Sequence, residues 1–455
     1  MAEDIQDFQD LRKVPVSEIL DKIKNGEPVE YDHVTIFGDI DVRKLNLPKD
    51  GDKFLVESSI EIANSEFFGD VDFSNTIFRK VVDFSRTEFI INSCFRETYF
   101  NDDSYFIETI FNFGASFDKS RFNNGASFLS AKFNLGCSFL GTLFEANAWF
   151  VRAQFGLDSL FKDTKFNGEA NFMEAQFAMK TNFVGTKFVE SVSFTRTQFG
   201  LHACFEKAQF CRKSYFNLAR VYGDIDFNGA QFCGDAYFDG VQIKKDAIFT
   251  GAKFGGKADF AEARMGGNAD FREASFITGV HFVKALFEGD VLTFRDAVFG
   301  IPQFQEDACR RAKNMLERNG NREEAGYHYY REMDAKRKQK PWYYRYLLEY
   351  IPIQLVFGYG VYPPRLIACW IIIIIFFGLL YWIGGGINGA VQLSDCIKFS
   401  FAAAIAPGYI ANTINPGYTG YQPTPIYQVV AGLEAILGTF MWAAFIATFA
   451  RKYMR

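Results

Sequence analysis

The sequence predicts a multidomain chain: a β-helix of about ten 22-residue coils, then a C-terminal α-helical membrane domain with two spans and a re-entrant segment between them. Three observations carry this. Phenylalanine recurs every eleven residues from Phe73 through Phe84, Phe95, Phe106, Phe117 and Phe128 to Phe282. A second ladder with the same step runs from Phe78 through Phe89, Phe100, Phe111 and Phe122 to Phe287, and is interrupted only at Val221, Ile243 and Met265. Those three lie 22 residues apart, so one coil of 22 residues stacks them in a single column. Finally, Leu366 to Ile383 and Ile426 to Ala450 are long and apolar enough to cross a bilayer.

Composition sets the bounds. A chain of 455 residues with 49% hydrophobic residues can bury a large core, and 54 Phe far exceed ordinary usage. A net charge of -5 suggests no nucleic-acid partner and no acidic mimic of one. The eight Cys and four His form no C-x-x-C pair and no metal-ligand spacing, so no metal, cofactor or disulfide is expected. The acidic, polar start (MAEDIQDFQD) lacks a secretory signal, which predicts a cytoplasmic N-terminus.

In chain order, residues 1–33 predict an N-terminal helical cap. Val16, Ile19, Leu20 and Ile23 lie at helical spacing, Ser17 is a candidate N-cap, and Asn25-Gly26 ends the helix. Residues 34–304 hold the repeat. The steps between phenylalanines alternate five and six, as in Phe117, Phe122, Phe128 and Phe133, and the residue two before each Phe is small: Ala115, Ser120, Ala126, Ala131, Cys137, Thr142. Residues two apart on an extended segment face the same side, so both point inward. Gly or Asn after the Phe in the six-residue step (Asn123-Asn124-Gly125, Asn134-Leu135-Gly136, Gly255-Gly256) predicts permissive backbone angles at that longer corner.

These units resemble the pentapeptide-repeat family, whose A-(D/N)-(L/F)-x-x units wind a right-handed quadrilateral β-helix with one unit per face. The resemblance implies four faces of five, six, five and six residues, with Phe in the central position. Outward positions carry no catalytic cluster, His202 and His281 stand alone, and no enzyme activity is expected. The ladder slips by one residue at Phe294.

Residues 305–340 predict a charged αα-hairpin that caps the open end, turning at Asn319-Gly320-Asn321. The run Lys336-Arg337-Lys338-Gln339-Lys340 precedes Trp342, Tyr343, Tyr344, Tyr346 and Tyr350. Residues 341–364 therefore predict an interfacial linker. In residues 365–455, basic residues flank the outer ends of both spans, which predicts a multi-pass protein of the cell membrane with both termini cytoplasmic.

Between the spans, Asp395 to Ala406 is apolar and too short to cross; Pro407-Gly408-Tyr409-Ile410-Ala411-Asn412 follows. The order span, half-span helix, Gly-containing loop, span resembles the two-transmembrane pore-loop family of ion channels, best known from potassium channels. The resemblance implies a homo-oligomer, a tetramer, around a permeant ion. It makes Lys398-Phe399-Ser400-Phe401 part of a pore helix, with Ala406, Pro407, Gly408, Tyr409, Ile410 and Asn412 as pore-loop residues and Ser400 and Glu434 as support behind them. Ala406, Pro407 and Ile410 stand where that family has Thr, Val and its second Gly. Pro removes an N–H and Ile resists positive φ, so a standard potassium filter is not expected and the ion's identity and sign stay open.

Glu434, inside an apolar span, either hydrogen-bonds the loop or is solvated near the outer interface. Gly438 matches the glycine at which inner helices of such channels bend, or serves close packing. The expected function is an ion channel with a cytoplasmic rod that gates it or docks a cytoplasmic protein. The alternative is a non-conducting, membrane-anchored scaffold.

Overall fold

The computed structural model describes residues 11–390, 392–405 and 422–453, which divide into two units at Phe304/Gln305. The first unit is a four-sided β-solenoid of about thirteen turns. Its four long sheets are parallel but for one edge strand and hold thirteen, thirteen, twelve and twelve strands. Through most of its length each strand pairs with the one 22 residues on, as Phe111 with Phe133 and Ala126 with Ala148. The pitch read from Val221, Ile243 and Met265 is therefore real: these three stack between Phe199 and Phe287 in one sheet.

Ten coils is an undercount, because the first turns are built without phenylalanine. Arg12–Pro15 is already a strand paired with Val34–Phe37, so the solenoid starts inside the stretch assigned to an N-terminal cap. Val14, Val29, Ile36 and Ile60 fill the interior there. One early turn also takes 31 residues, pairing Val29 with Ile60 and Ile40 with Val71. Its extra residues form a 3-10 turn at Val42–Lys44 and an antiparallel Lys49–Asp50 strand, which hide the step from a search at eleven. Helix α1 (Val16–Asn25) is present, capped by left-handed Gly26 as the sequence suggests. Its N-cap is Pro15, with no side-chain hydrogen bond, rather than Ser17. At the far end Ala269 pairs with Leu292 and Ser275 with Val298, a spacing of 23 that accounts for the slip at Phe294.

Phenylalanines one turn apart lie face to face, Phe106 and Phe128 at 4.9 Å and 3°. In the first ladder those eleven apart meet edge to face across the interior, Phe106 and Phe117 at 5.4 Å and 83°, and second-ladder rings do so with the first-ladder ring six residues on, Phe111 and Phe117 at 6.1 Å and 89°. Stacking at the ~4.8 Å strand spacing thus lets each ring satisfy both preferred aromatic geometries. The small residue two before the second Phe of each pair also has a polar task. Thr98, Thr109, Thr142, Thr164 and Thr186 each donate their buried hydroxyl to the carbonyl of an inward Phe 25 residues earlier, at 2.6–2.7 Å.

The corners correct one expectation. Left-handed backbone falls in the five-residue step, two residues after the first Phe, and not at Gly125, Gly255 or Gly256. Arg86, Glu97, Glu108, Lys119, Ser130, Arg152 and Asp163 all adopt it, at φ 54–58°. Glycine fills the same place at Gly141, Gly185 and Gly229. Four residues must turn the chain onto the next face there, closed by bonds such as Ser120 N–H to Phe117 O at 3.1 Å. Among the six-step glycines named above only Gly136 has positive φ. Gly156, Gly200 and Gly223 are small for another reason: a Cβ would overlap the carbonyl oxygen one turn below.

The second unit begins with a helical hairpin. Helix α2 (Pro302–Arg318), whose first residues belong to the solenoid unit, is followed by α3 (Arg322–Lys338), which Asn321 caps by accepting from Glu324 N–H at 3.3 Å. Buried Glu332 is held by Lys313 at 2.9 Å and Lys336 at 2.7 Å. A π-helical segment (Tyr344–Phe357) is tied back to α3 by Gln354, which donates to Tyr330 Oη at 2.9 Å and Asp334 at 3.2 Å. Then come α4 (Pro363–Ile383), α5 (Leu393–Ile405) and α6 (Pro425–Tyr453).

Two outcomes test this account. Phe128→Ala should cost about 3–5 kcal/mol, because neighbouring turns cannot collapse onto the hole. Leu218→Gly, at a left-handed corner with φ 57°, should instead stabilise by about 0.5–1 kcal/mol. Thermal melts of the β signal in detergent-solubilised chain read both. In the hairpin, burial alone would raise the Glu332 carboxyl, but Lys336 and Lys313 outweigh it and hold it below the usual carboxylate range. Its folded pKa being depressed, its stabilisation is complete above the unfolded value and fades as pH falls through the lower folded one. Glu332→Gln should flatten that acid-side loss in a pH series of melts.

Candidate functional site

The site is assembled from three helices of the second unit. α4 and α6 are each long and apolar enough to cross a membrane, over Pro364–Ile383 and Pro425–Ala450. Much of their apolar surface faces outward: Ile372, Phe376, Ile383, Ile426, Val429 and Ile436 are all exposed. α5 is too short to cross, at 13 residues or ~20 Å, and it packs against both. Glycines permit the approach. A Cβ on Gly378 of α4 would come within 2.8 Å of Ile397, and one on Gly438 of α6 would overlap the Ala404 carbonyl of α5. α6 runs unbroken through Gly438, which serves close packing in this conformation.

Glu434 on α6 is fully buried where the three helices meet. It accepts from Tyr381 Oη of α4 at 2.6 Å and from Ser400 Oγ of α5. Ser400 Oγ also lies 2.8 Å from the Ile374 carbonyl, so one hydroxyl proton faces two acceptors. The carboxylate is thus the common partner of the other two helices. Below it Tyr381, Phe399, Cys396, Ile387 and Ala431 form an apolar cluster, with the Tyr381 and Phe399 rings edge to face at 5.3 Å. Gly384 and Gly386 make room for the Tyr427 ring.

Of the residues singled out from sequence, Ser400 and Glu434 come together directly, and Gly438 lies one turn along α6 from Glu434. Ala406, Pro407, Gly408, Tyr409, Ile410 and Asn412 lie outside the described residues. The chain on either side is held, since Ile387–Asn388 pairs antiparallel with Gln422–Pro423. Tyr381 escaped sequence reasoning. It sits in an apolar run where a tyrosine reads as an interfacial anchor, and only its register with Glu434 marks it as a donor.

The solenoid offers a second surface. A groove of about 1360 Å³ runs along one five-step corner and the sheet beside it. Its charges pair along the axis: Arg86 with Glu108 at 3.3 Å, and Glu174 with Arg152 at 2.9 Å and Arg196 at 3.6 Å. Hydrogen bonding from Arg152 holds the Glu174 carboxyl below its usual range. Charges satisfied in this way make a solvated face. Among the described residues no group of three His, Cys, Asp or Glu could hold a metal ion.

No curated protein and no solved structure matches the chain. A family profile described as "Pentapeptide repeats (9 copies)" matches residues 205–253 and 249–298. Those stretches fall within the turns that carry the eleven-residue ladders, and the first unit is a solenoid of pentapeptide repeats.

Proposed function

We propose that the chain is a homo-oligomeric ion channel of the cell membrane, a tetramer with both termini cytoplasmic, whose right-handed pentapeptide-repeat solenoid gates the pore or docks a partner. The observation that carries the reading is α5: a half-length apolar helix wedged between two span-length helices and pinned to both through Ser400, Glu434 and Tyr381. Helix ends and irregular backbone at membrane depth are tolerated only where protein or water satisfies them. A buried carboxylate there is expensive unless it has a structural or transport task. One chain has too few helices to enclose a pore, so several copies must surround it. In this role the chain is no enzyme and needs no cofactor.

A second reading is a non-conducting, membrane-anchored scaffold in which the helical domain only oligomerises. It is favoured by the loop itself, where Ala406, Pro407 and Ile410 replace the residues that give a potassium filter its carbonyl rings.

Flux from liposomes holding the purified full chain decides between them. Ion passage is expected across a range of membrane voltages, and none under any voltage or ion gradient leaves the scaffold. Within the channel reading, Tyr381→Phe removes a donor from a buried carboxylate and should cost about 1–3 kcal/mol of oligomer stability. Glu434→Gln keeps an acceptor and should be milder, whereas Glu434→Ala, which strips both hydroxyls of their partner, should abolish flux. Wild-type melting and wild-type flux in Glu434→Ala would remove the carboxylate from the mechanism.

A further inference from the structure

The corners of the solenoid that take the six-residue step occur twice per turn, one leading into two-residue strands such as Ala126–Ser127 and the other into three-residue strands such as Gly136–Ser138. At the first, the residue two after the Phe is Asp102, Asn124, Ala146, Gly168, Glu190 and Arg212 in six successive turns, a polar or small column. At the other, eleven residues away, the same six turns carry Ile91, Phe113, Leu135, Leu157, Met179 and Leu201. These side chains point outward, 37%, 48%, 46%, 48%, 38% and 51% exposed. Gly69 and Gly223 end the column on either side. Later turns carry Gly223, Lys245 and Gly267 in this same column, so the fold needs no apolar residue here and the stripe has a purpose other than making the turn.

We infer that this stripe is the contact through which the solenoids of two copies of this chain associate. Area supports it. The six side chains present on the order of 500 Å² of apolar surface, the size of patch that marks an interaction site, against the ~800 Å² per partner of a stable interface. The column beside it is uncharged (Asn112, Asn134, Gly156, Ala178, Gly200) and supplies the remainder. Depletion of charge at the centre is what association surfaces require.

Pitch selects the occupant. Knobs along the stripe repeat every ~4.8 Å over about 24 Å. A helix laid along it presents a side chain every ~5.4 Å and drifts by half a step over that length, and an extended strand presents one every ~6.8 Å. A second copy of the stripe has the same pitch and stays in register throughout. Charge permits it in either sense. Aligned antiparallel with Leu135 against Leu157, the adjacent Asp158 faces Gly136 and Lys180 faces Gly114. Aligned parallel, they face Gly156 and Ala178. Neither alignment opposes like charges. The inference stands whether or not the membrane helices conduct.

The experiment uses the full chain in its membrane with the photoreactive residue benzoylphenylalanine substituted for Leu135 and, as the control, for Ala146. The expected product is a chain-to-chain adduct at position 135, joined to a peptide containing residues 113–179 of the second copy, with little at position 146. Phe113→Asp combined with Leu157→Asp, both outward and outside the core, should cut its yield about tenfold or more. A melt of that variant unchanged from the parent shows that folding is intact. An adduct mainly with lipid or with a different protein, or equal yields at positions 135 and 146, overturns the inference. Lost adduct with liposome flux retained separates this contact from the channel reading.

Discussion

A side chain resting on its own kind one turn below, at the spacing of parallel strands, is the constraint on which the solenoid depends. Face-to-face phenylalanines at 4.9 Å, such as Phe117 on Phe139, hold only while every coil takes the same number of residues. An inserted residue would turn inward groups outward, since side chains alternate along a strand. The chain pays for that regularity at its corners. Charged residues such as Glu108 and Lys119 accept left-handed backbone because four residues must close the turn, whatever stands there. Where insertions do occur, in the 31-residue early turn and the 23-residue late one, they are confined to corners and the strands resume in register.

Such a scaffold frees the surface from the interior. With Phe and Thr satisfying the core and its buried carbonyls, outward columns can vary independently while sharing one axial repeat. Opposite charges therefore pair 22 residues apart, as Arg152 with Glu174, and an apolar column can coexist with a polar one on another corner. Surface chemistry on a solenoid is naturally linear, and it favours partners that share its pitch.

The second unit solves a different problem. Its helices α4, α5 and α6 are apolar almost throughout, so apolar contact alone would not specify how they cross. Glycine at Gly378 and Gly438 brings backbones close, and the buried Glu434 fixes the register of three helices through directional bonds from Tyr381 and Ser400. A misregistered crossing would strand the carboxylate in an apolar setting, which costs far more than a lost methyl contact.

By itself the sequence determined what repeats: two ladders of Phe, three substitutions in one column, hence a 22-residue coil, and two stretches apolar enough to span. Those signals survive because a one-residue error would ruin many stacked contacts at once. It did not disclose that the solenoid begins before residue 34, where Val14 performs the task of Phe, or that nine extra residues break the period of one early turn. Nor did it locate the strained corner, because Arg86 or Glu97 carries no local mark of left-handed backbone. Glu434 and Ser400 were legible as an ionisable group and a hydroxyl in apolar helices. That they meet, and that Tyr381 is the third member, was decided by tertiary structure alone, since hydrogen bonds 34 and 53 residues apart depend on how helices cross and not on any spacing along the chain.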